Sequence, residues 1–111
     1  MAYKIGDVVL VPFPFTDLSD HRVRPAVVVS TESFNEVTGD VTVGLITSQR
    51  RTGPSDCGLR DWMAAGLRLP SWFRSRFITL DQRLVQFSPG RLSRDDLLAV
   101  QQRMKVALGL S

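Results

Sequence analysis

The chain has little of what most small enzymes and secreted domains are built around. It holds one cysteine, Cys57, and one histidine, His21. A lone cysteine closes no intrachain disulfide, and with no histidine near it in the chain it makes neither a zinc motif nor the signature of a nucleophilic thiol. Cys57 therefore reads as an ordinary loop thiol in a reducing cytosol. No stretch approaches the about 18 apolar residues of a membrane helix. The opening MAYKIGDVV lacks a basic flank followed by an apolar run of about seven residues. These absences predict a soluble, cytoplasmic protein with no membrane association. A phosphate-binding loop, a GxSxG turn and a serine with a positioned histidine are missing as well. No metal and no other cofactor is expected.

What is present suffices for one packed core. Hydrophobic residues make up 43% of the 111 and charged residues 23%, so a single domain over residues 1–111 needs no covalent staples. Fourteen basic against eleven acidic side chains leave a net charge of +3, which favours a polyanionic partner without requiring one. Val8–Val11, β-branched and ended by Pro12, reads as a strand. PFPFTDLSDHRV, residues 12–23, is loop chemistry of unusual aromatic content. Pro25–Ser30 is a second strand with proline at its first position, Phe34 to Asp40 carries turn residues, and Val41–Thr47 is a third strand. In that strand Gly44 marks a place where another backbone passes close.

Gln49–Gly58, polar and broken by Gly53-Pro54, is expected to be a mobile surface loop. Asp61 is placed to cap a helical turn over Trp62–Ala65 that Gly66 ends in the left-handed conformation. Trp72–Leu80 and Arg83–Phe87 read as two more strands with Asp81-Gln82 as their turn. Ser93 then caps an amphipathic helix, with Asp95 and Asp96 in its first turn, Leu97, Val100, Met104 and Leu108 at helical spacing, and Gly109 beyond its end. About five short strands and one terminal helix packed on the sheet describe a small barrel-like α+β domain.

With the commoner motifs excluded, the chemistry falls to arginines, hydroxyls and a few carboxylates. RNA carries its own nucleophile in the 2′-hydroxyl, so a protein that cleaves it needs to remove that proton, stabilise the phosphorane and protonate the leaving 5′-oxygen. Arg24 is the first candidate, because Pro25 biases it to extended backbone at a strand edge and so aims its fork from a rigid element. Thr47 and Ser48 end the third strand, where a hydroxyl either donates to a phosphate oxygen or shapes the turn. His21 can titrate near neutrality. Arg22, Arg50, Arg51, Arg74 and Arg76 flank the same elements and can form a basic track. Phe15, Trp62 and Trp72 either offer faces to bases or, for the tryptophans, fill a core or an interface between subunits.

Five blocks together resemble one known family: GDVVLVPFPFTD (Gly6 to Asp17), Arg24-Pro25-Ala26-Val27-Val28-Val29-Ser30, Leu45-Ile46-Thr47-Ser48-Gln49, Ala65-Gly66-Leu67 with Pro70-Ser71, and Gly90-Arg91-Leu92-Ser93. In this order they are similar to the MazF/PemK-like toxins. The resemblance implies an SH3-like barrel with a C-terminal helix, a homodimer, and growth arrest. It also implies sequence-selective, metal-independent cleavage of single-stranded RNA to a 2′,3′-cyclic phosphate and a 5′-hydroxyl. It further implies a cognate antitoxin protein that blocks the RNA groove. The arginine before the strand-opening proline and the threonine ending the next strand are the family's functional pair, which match Arg24 and Thr47, with Ser48 adjacent. Arg24 would then stabilise the phosphorane and assist the leaving group, and Thr47 would hold a phosphate oxygen. The first loop departs from better-described members, and the general base stays open among Asp17, Asp20 and His21.

Two other readings share the fold. One is a non-catalytic toxin that grips a protein target and leans on the C-terminal helix. The other is an inactive member that binds only its antitoxin. The antitoxin segment expected for a groove lined by Arg24, Arg50, Arg51 and Arg74 is acidic and disordered until bound.

Overall fold

A computed structural model describes residues 2–13 and 22–110. Six strands form one antiparallel sheet: β1 (Asp7–Pro12), β2 (Val23–Val28), β3 (Asp40–Thr47), β4 (Asp56–Leu59), β5 (Ser71–Asp81) and β6 (Phe87–Arg91), in the order β4-β5-β3-β2-β1-β6. Helix α1 (Glu32–Thr38) joins β2 to β3, and helix α2 (Arg94–Leu108) ends the fold. The sheet is buried on both faces. Val9, Val11, Ala26, Val28, Val43 and Leu45 fill one side. Val8, Val27, Ile46, Phe73 and Val100 fill the other, where Leu97 and Met104 bring in α2. The alternation of neighbouring residues between the two clusters is the period of two that a strand imposes. Among the described residues no helix is long and apolar enough to cross a membrane.

The expected barrel-like sheet with a terminal helix is what the chain forms, with local corrections. First, the segment read as turn residues holds α1: the Thr31 hydroxyl accepts the Phe34 N–H at 3.1 Å, and Gly39 (φ 73°) closes the far end. Thr31 and Gly39 are cap residues, but seven residues give too few turns for a periodic signal. Second, the supposed loop over 49–58 contains most of β4, so Cys57 sits half-buried on a strand. β4 has no β-branched residue to announce it. It is held from outside, the Asp56 carboxylate accepting the Ser75 N–H at 3.3 Å and the Ser55 carbonyl accepting the Ser75 hydroxyl at 2.6 Å.

Third, the last strand lies later than Arg83–Phe87. The Asp81 carboxylate accepts the Arg83 N–H at 2.9 Å and winds Gln82–Leu84 into a 3₁₀ turn. β6 follows with Pro89 and Gly90 inside it, residues that argue against a strand but are tolerated at a sheet edge. Fourth, the tight approach at Gly44 is made by an aromatic ring: a Cβ there would stand 2.6 Å from Phe73 Cε1. In α2, the Ser93 cap, the acidic first turn and Gly109 are as expected. Leu108 is the exception in its stripe, 51% exposed.

The turn at residues 61–66 forms as read, with the Ala65 N–H on the Asp61 carbonyl and Gly66 at φ 85°. The carboxylate that anchors it comes from elsewhere. Asp96, buried in the first turn of α2, accepts the Arg60 N–H at 3.0 Å and the Asp61 N–H at 2.8 Å. This pins the 60s turn to the helix and positions the wall of the cleft described next.

Candidate active site

The cleft begins where a proline stops a ladder. β2 also starts two residues earlier than expected, at Val23, so Pro25 lies inside it, paired with Leu10 of β1. Backbone groups along β2 alternate in direction. Val28 turns its carbonyl to Gly6 on the β1 side, and Val29 turns its N–H to Thr42 of β3. By that alternation Pro25 presents its nitrogen to β3, with no hydrogen to donate. Pairing of β2 with β3 accordingly stops at Ala26 opposite Leu45. Carrying the register two residues further sets Arg24 across from Thr47, on opposite sides of a gap.

That gap is the floor of a cavity of about 550 Å³, within the size range of small-molecule sites. Arg24, Thr47 and Ser48 line it, as does Arg68. Its walls are the stretch from Gly66 to Leu69 on one side and Phe87 and Pro89 of β6 on the other, with Leu10 and Ile46 between. The walls meet backbone to backbone: a Cβ on Gly90 would lie 2.6 Å from the Ala65 carbonyl oxygen. Among the described residues, both charged groups of the lining are arginines. Thr47 takes part in the turn after β3. Its oxygen accepts the Gln49 N–H at 3.1 Å, shaping the turn, a bond that does not use the hydroxyl's own hydrogen.

The other expected residues divide in two. Phe15, Asp17, Asp20 and His21 lie outside the described residues, and so does any statement of where the base stands. The Phe13 N–H donates to the Arg22 carbonyl at 3.3 Å. Arg51, Arg74 and Arg76 gather away from the cavity around Asp56. Arg51 Nε stands 3.5 Å from the Asp56 carboxylate. Partial burial, then the neighbouring Arg51 and Arg76 charges, push the Arg74 guanidinium below its ordinary range. Arg22 and Arg50 are exposed on the approaches to the cavity, at the start of β2 and just past the end of β3. Trp72 is paired with Thr47 but its indole lies over Gly58, whose Cβ would be 3.2 Å from the ring nitrogen. Trp62 packs against the core on the α2 side.

Sequence reasoning passed over Arg68 and Phe87. Arg68 lies inside the block running from Ala65 to Ser71, yet one arginine among fourteen basic residues carries no mark of its place. Phe87 was read as the end of a strand, when it begins one at the mouth of the cavity. Among the described residues, no three His, Cys, Asp or Glu side chains stand together as a metal-binding group.

The fold recurs in solved structures. A mycobacterial endoribonuclease in complex with its cognate antitoxin superposes with a TM-score of 0.83 at 21% identity, over 99% of this chain and 98% of that one. A chain of the MazE–MazF complex from Deinococcus radiodurans gives 0.77 at 23%, over 100% and 99%. The Mycobacterium tuberculosis toxin MazF-mt6 gives 0.77 at 19%, over 95% and 98%. At such identities the likeness is one of fold. No curated protein matches the chain by sequence. The family model, however, matches residues 4–108, nearly the whole length and every element from β1 to α2, and on that match the chain belongs to the PemK-like, MazF-like toxins of type II toxin-antitoxin systems.

Proposed function

We propose that this toxin cleaves single-stranded RNA without a metal ion, as a homodimer held inactive by an antitoxin protein. The observation that carries the reading is the gap in the sheet, where Pro25 ends a ladder and leaves Arg24 and Thr47 facing one cavity. The substrate supplies the nucleophile. As the 2′-hydroxyl loses its proton to a base, its oxygen bonds to the adjacent phosphorus. The bond to the 5′-oxygen breaks, and that oxygen takes up a proton. The products are a 2′,3′-cyclic phosphate and a 5′-hydroxyl. Arg24, fixed on a strand, neutralises the charge that grows on the phosphorane and sits beside the departing oxygen. The hydroxyls of Thr47 and Ser48 donate to the non-bridging oxygens. The base comes from Asp17, Asp20 or His21, in the stretch of sequence between Phe13 and Arg22.

The partners follow from surface chemistry. Arginine-lined approaches suit both RNA and an acidic antitoxin segment that folds as it binds. Phe34 of α1 and Leu108 of α2, 40% and 51% exposed, flank a shallow apolar groove suited to a second protein chain. The same exposed apolar surface favours a second reading, a toxin that acts by gripping a protein.

One assay separates the two. A long single-stranded RNA is incubated with the purified protein in EDTA beside Arg24→Ala, and the product ends are identified. RNA cleavage gives cuts at few sites, cyclic-phosphate ends, and a rate lower by about 100- to 1,000-fold in the variant, the usual loss when one oxyanion donor is removed. A folded protein that leaves RNA intact, or a variant that cuts equally well, rejects the mechanism in favour of the protein-binding reading.

A further inference from the structure

We propose that Phe87 and Arg68 make the cavity a two-ended nucleotide site, in which an unpaired base lies against the Phe87 ring and the adjoining phosphate is held between Arg68 and Arg24. The inference rests on the RNA-cleaving reading above and specifies which groups grip the substrate. Its observation is the juxtaposition of unlike linings in one cavity. Two arginines and the hydroxyls of Thr47 and Ser48 stand with an aromatic ring and the Leu69 side chain.

Phe87 contributes little to the core. Its ring is 61% exposed, and it opens β6 at the edge of the sheet, paired with Leu10. Leu69, on the opposite wall, is 58% exposed. Two exposed apolar side chains, one of them aromatic, in the lining of one cavity give it an apolar end that suits a flat ring. The remainder of the lining fits the rest of a nucleotide: guanidinium forks and hydroxyl donors match phosphate oxygens. Stacking on an aromatic face tolerates every base, so Phe87 contributes affinity and fixes the position of the strand, while sequence choice falls to other groups. Once the base is held, the phosphate next to it is delivered to Arg24 and Thr47, which explains why a cleft for cleavage needs an apolar end.

The test uses a 2′-O-methyl oligonucleotide, which binds without being cut, carrying the sequence cleaved best by the wild-type protein. Phe87→Ala is expected to weaken its binding by about 5- to 150-fold, the range for one lost base stack, and Phe87→Trp to restore it. Replacing single nucleotides by abasic ones along the strand should find one position whose loss costs the wild type as much as Phe87→Ala does. At that position the variant and the abasic change should not add. Arg68→Gln should flatten the dependence of log affinity on log salt by about 0.7.

Equal binding by wild type and Phe87→Ala, or losses that add at every position, overturns the base subsite while leaving RNA cleavage standing. A wild-type protein that neither binds nor cuts RNA overturns both. Phe87-dependent binding of an acidic peptide, with RNA binding indifferent to Phe87, reassigns the slot to a protein partner and overturns the inference.

Discussion

Gly66 and Pro89 touch through their backbones: a methyl group on Gly66 would lie 2.6 Å from the Pro89 carbonyl oxygen, and Gly66 has φ 85°. The contact locks the 60s turn to β6, and those two segments are the walls of the cavity. Gly66→Ala therefore meets two penalties. The left-handed backbone costs about 1–2 kcal/mol, and the overlap with a carbonyl that cannot swing away adds roughly 1–3 kcal/mol. Gly109→Ala separates them, since Gly109 is also left-handed (φ 69°) but has nothing within 4 Å of its Cβ position. Thermal unfolding should show Gly66→Ala lowering Tm by about 10 °C or more, with Gly109→Ala giving about half of that or less. Equal shifts would mean that the walls are not in contact.

Asp96 ties the same turn to helix α2. Its two oxygens accept the Arg60 and Asp61 N–H groups from inside a buried site, while its own N–H donates to the Ser93 hydroxyl. Asp96→Asn keeps the shape and replaces one acceptor by an NH₂ that faces an N–H. Losing one charge-assisted bond and stranding a buried donor should lower stability by about 3 kcal/mol in urea unfolding. A loss under about 1 kcal/mol would show that the turn is held by packing alone.

Cys57 is predicted to be a slow thiol. Burial pushes its pKa above the ordinary thiol range, and the neighbouring Arg103 charge and hydrogen bond pull the other way without overcoming it. Raised pKa means less thiolate at any pH below it, so reaction with iodoacetamide near pH 8 should be slower than for a free cysteine, and the rate should climb later on an alkaline titration. Arg103→Met, which keeps the cover and removes the charge, should move that climb to still higher pH. A climb at or below the pH of a free thiol would contradict the burial.

Much of the scaffold is written locally. β1, β2 and β3 announce themselves because β-branched residues run together and stop at Pro12 or a polar pair, and α2 because cap, charge and spacing agree over four turns. β4 and β6 are not legible this way. Each exists because a neighbour holds it: β4 through the Asp56 carboxylate and the Ser75 hydroxyl, β6 through edge pairing that tolerates Pro89 and Gly90. The site divides along the same line. Arg24 and Thr47, which line the cavity, stand at ends of legible strands. Arg68 and Phe87 reach the cavity only through the contact of the 60s turn with β6, a long-range relation that no window of sequence displays.

Thr47 offers the sharpest separation of architecture from chemistry, because one hydroxyl is assigned two bonds with opposite roles. Its oxygen accepts the Gln49 N–H and holds the turn, while in the proposed mechanism its hydrogen donates to the phosphate. Thr47→Ser preserves both and should cleave RNA within a few-fold of wild type. Thr47→Val has nearly the same volume and preserves neither. The lost turn bond should lower stability by about 1 kcal/mol, too little to unfold a protein of ordinary stability, while the lost phosphate contact should slow cleavage by about 100-fold. The pair of readouts is decisive when taken on the same samples. If Thr47→Val loses stability as expected but cuts at nearly the wild-type rate, Thr47 only shapes the turn, and the phosphate contact passes to Ser48, whose replacement by Ala would then show the loss.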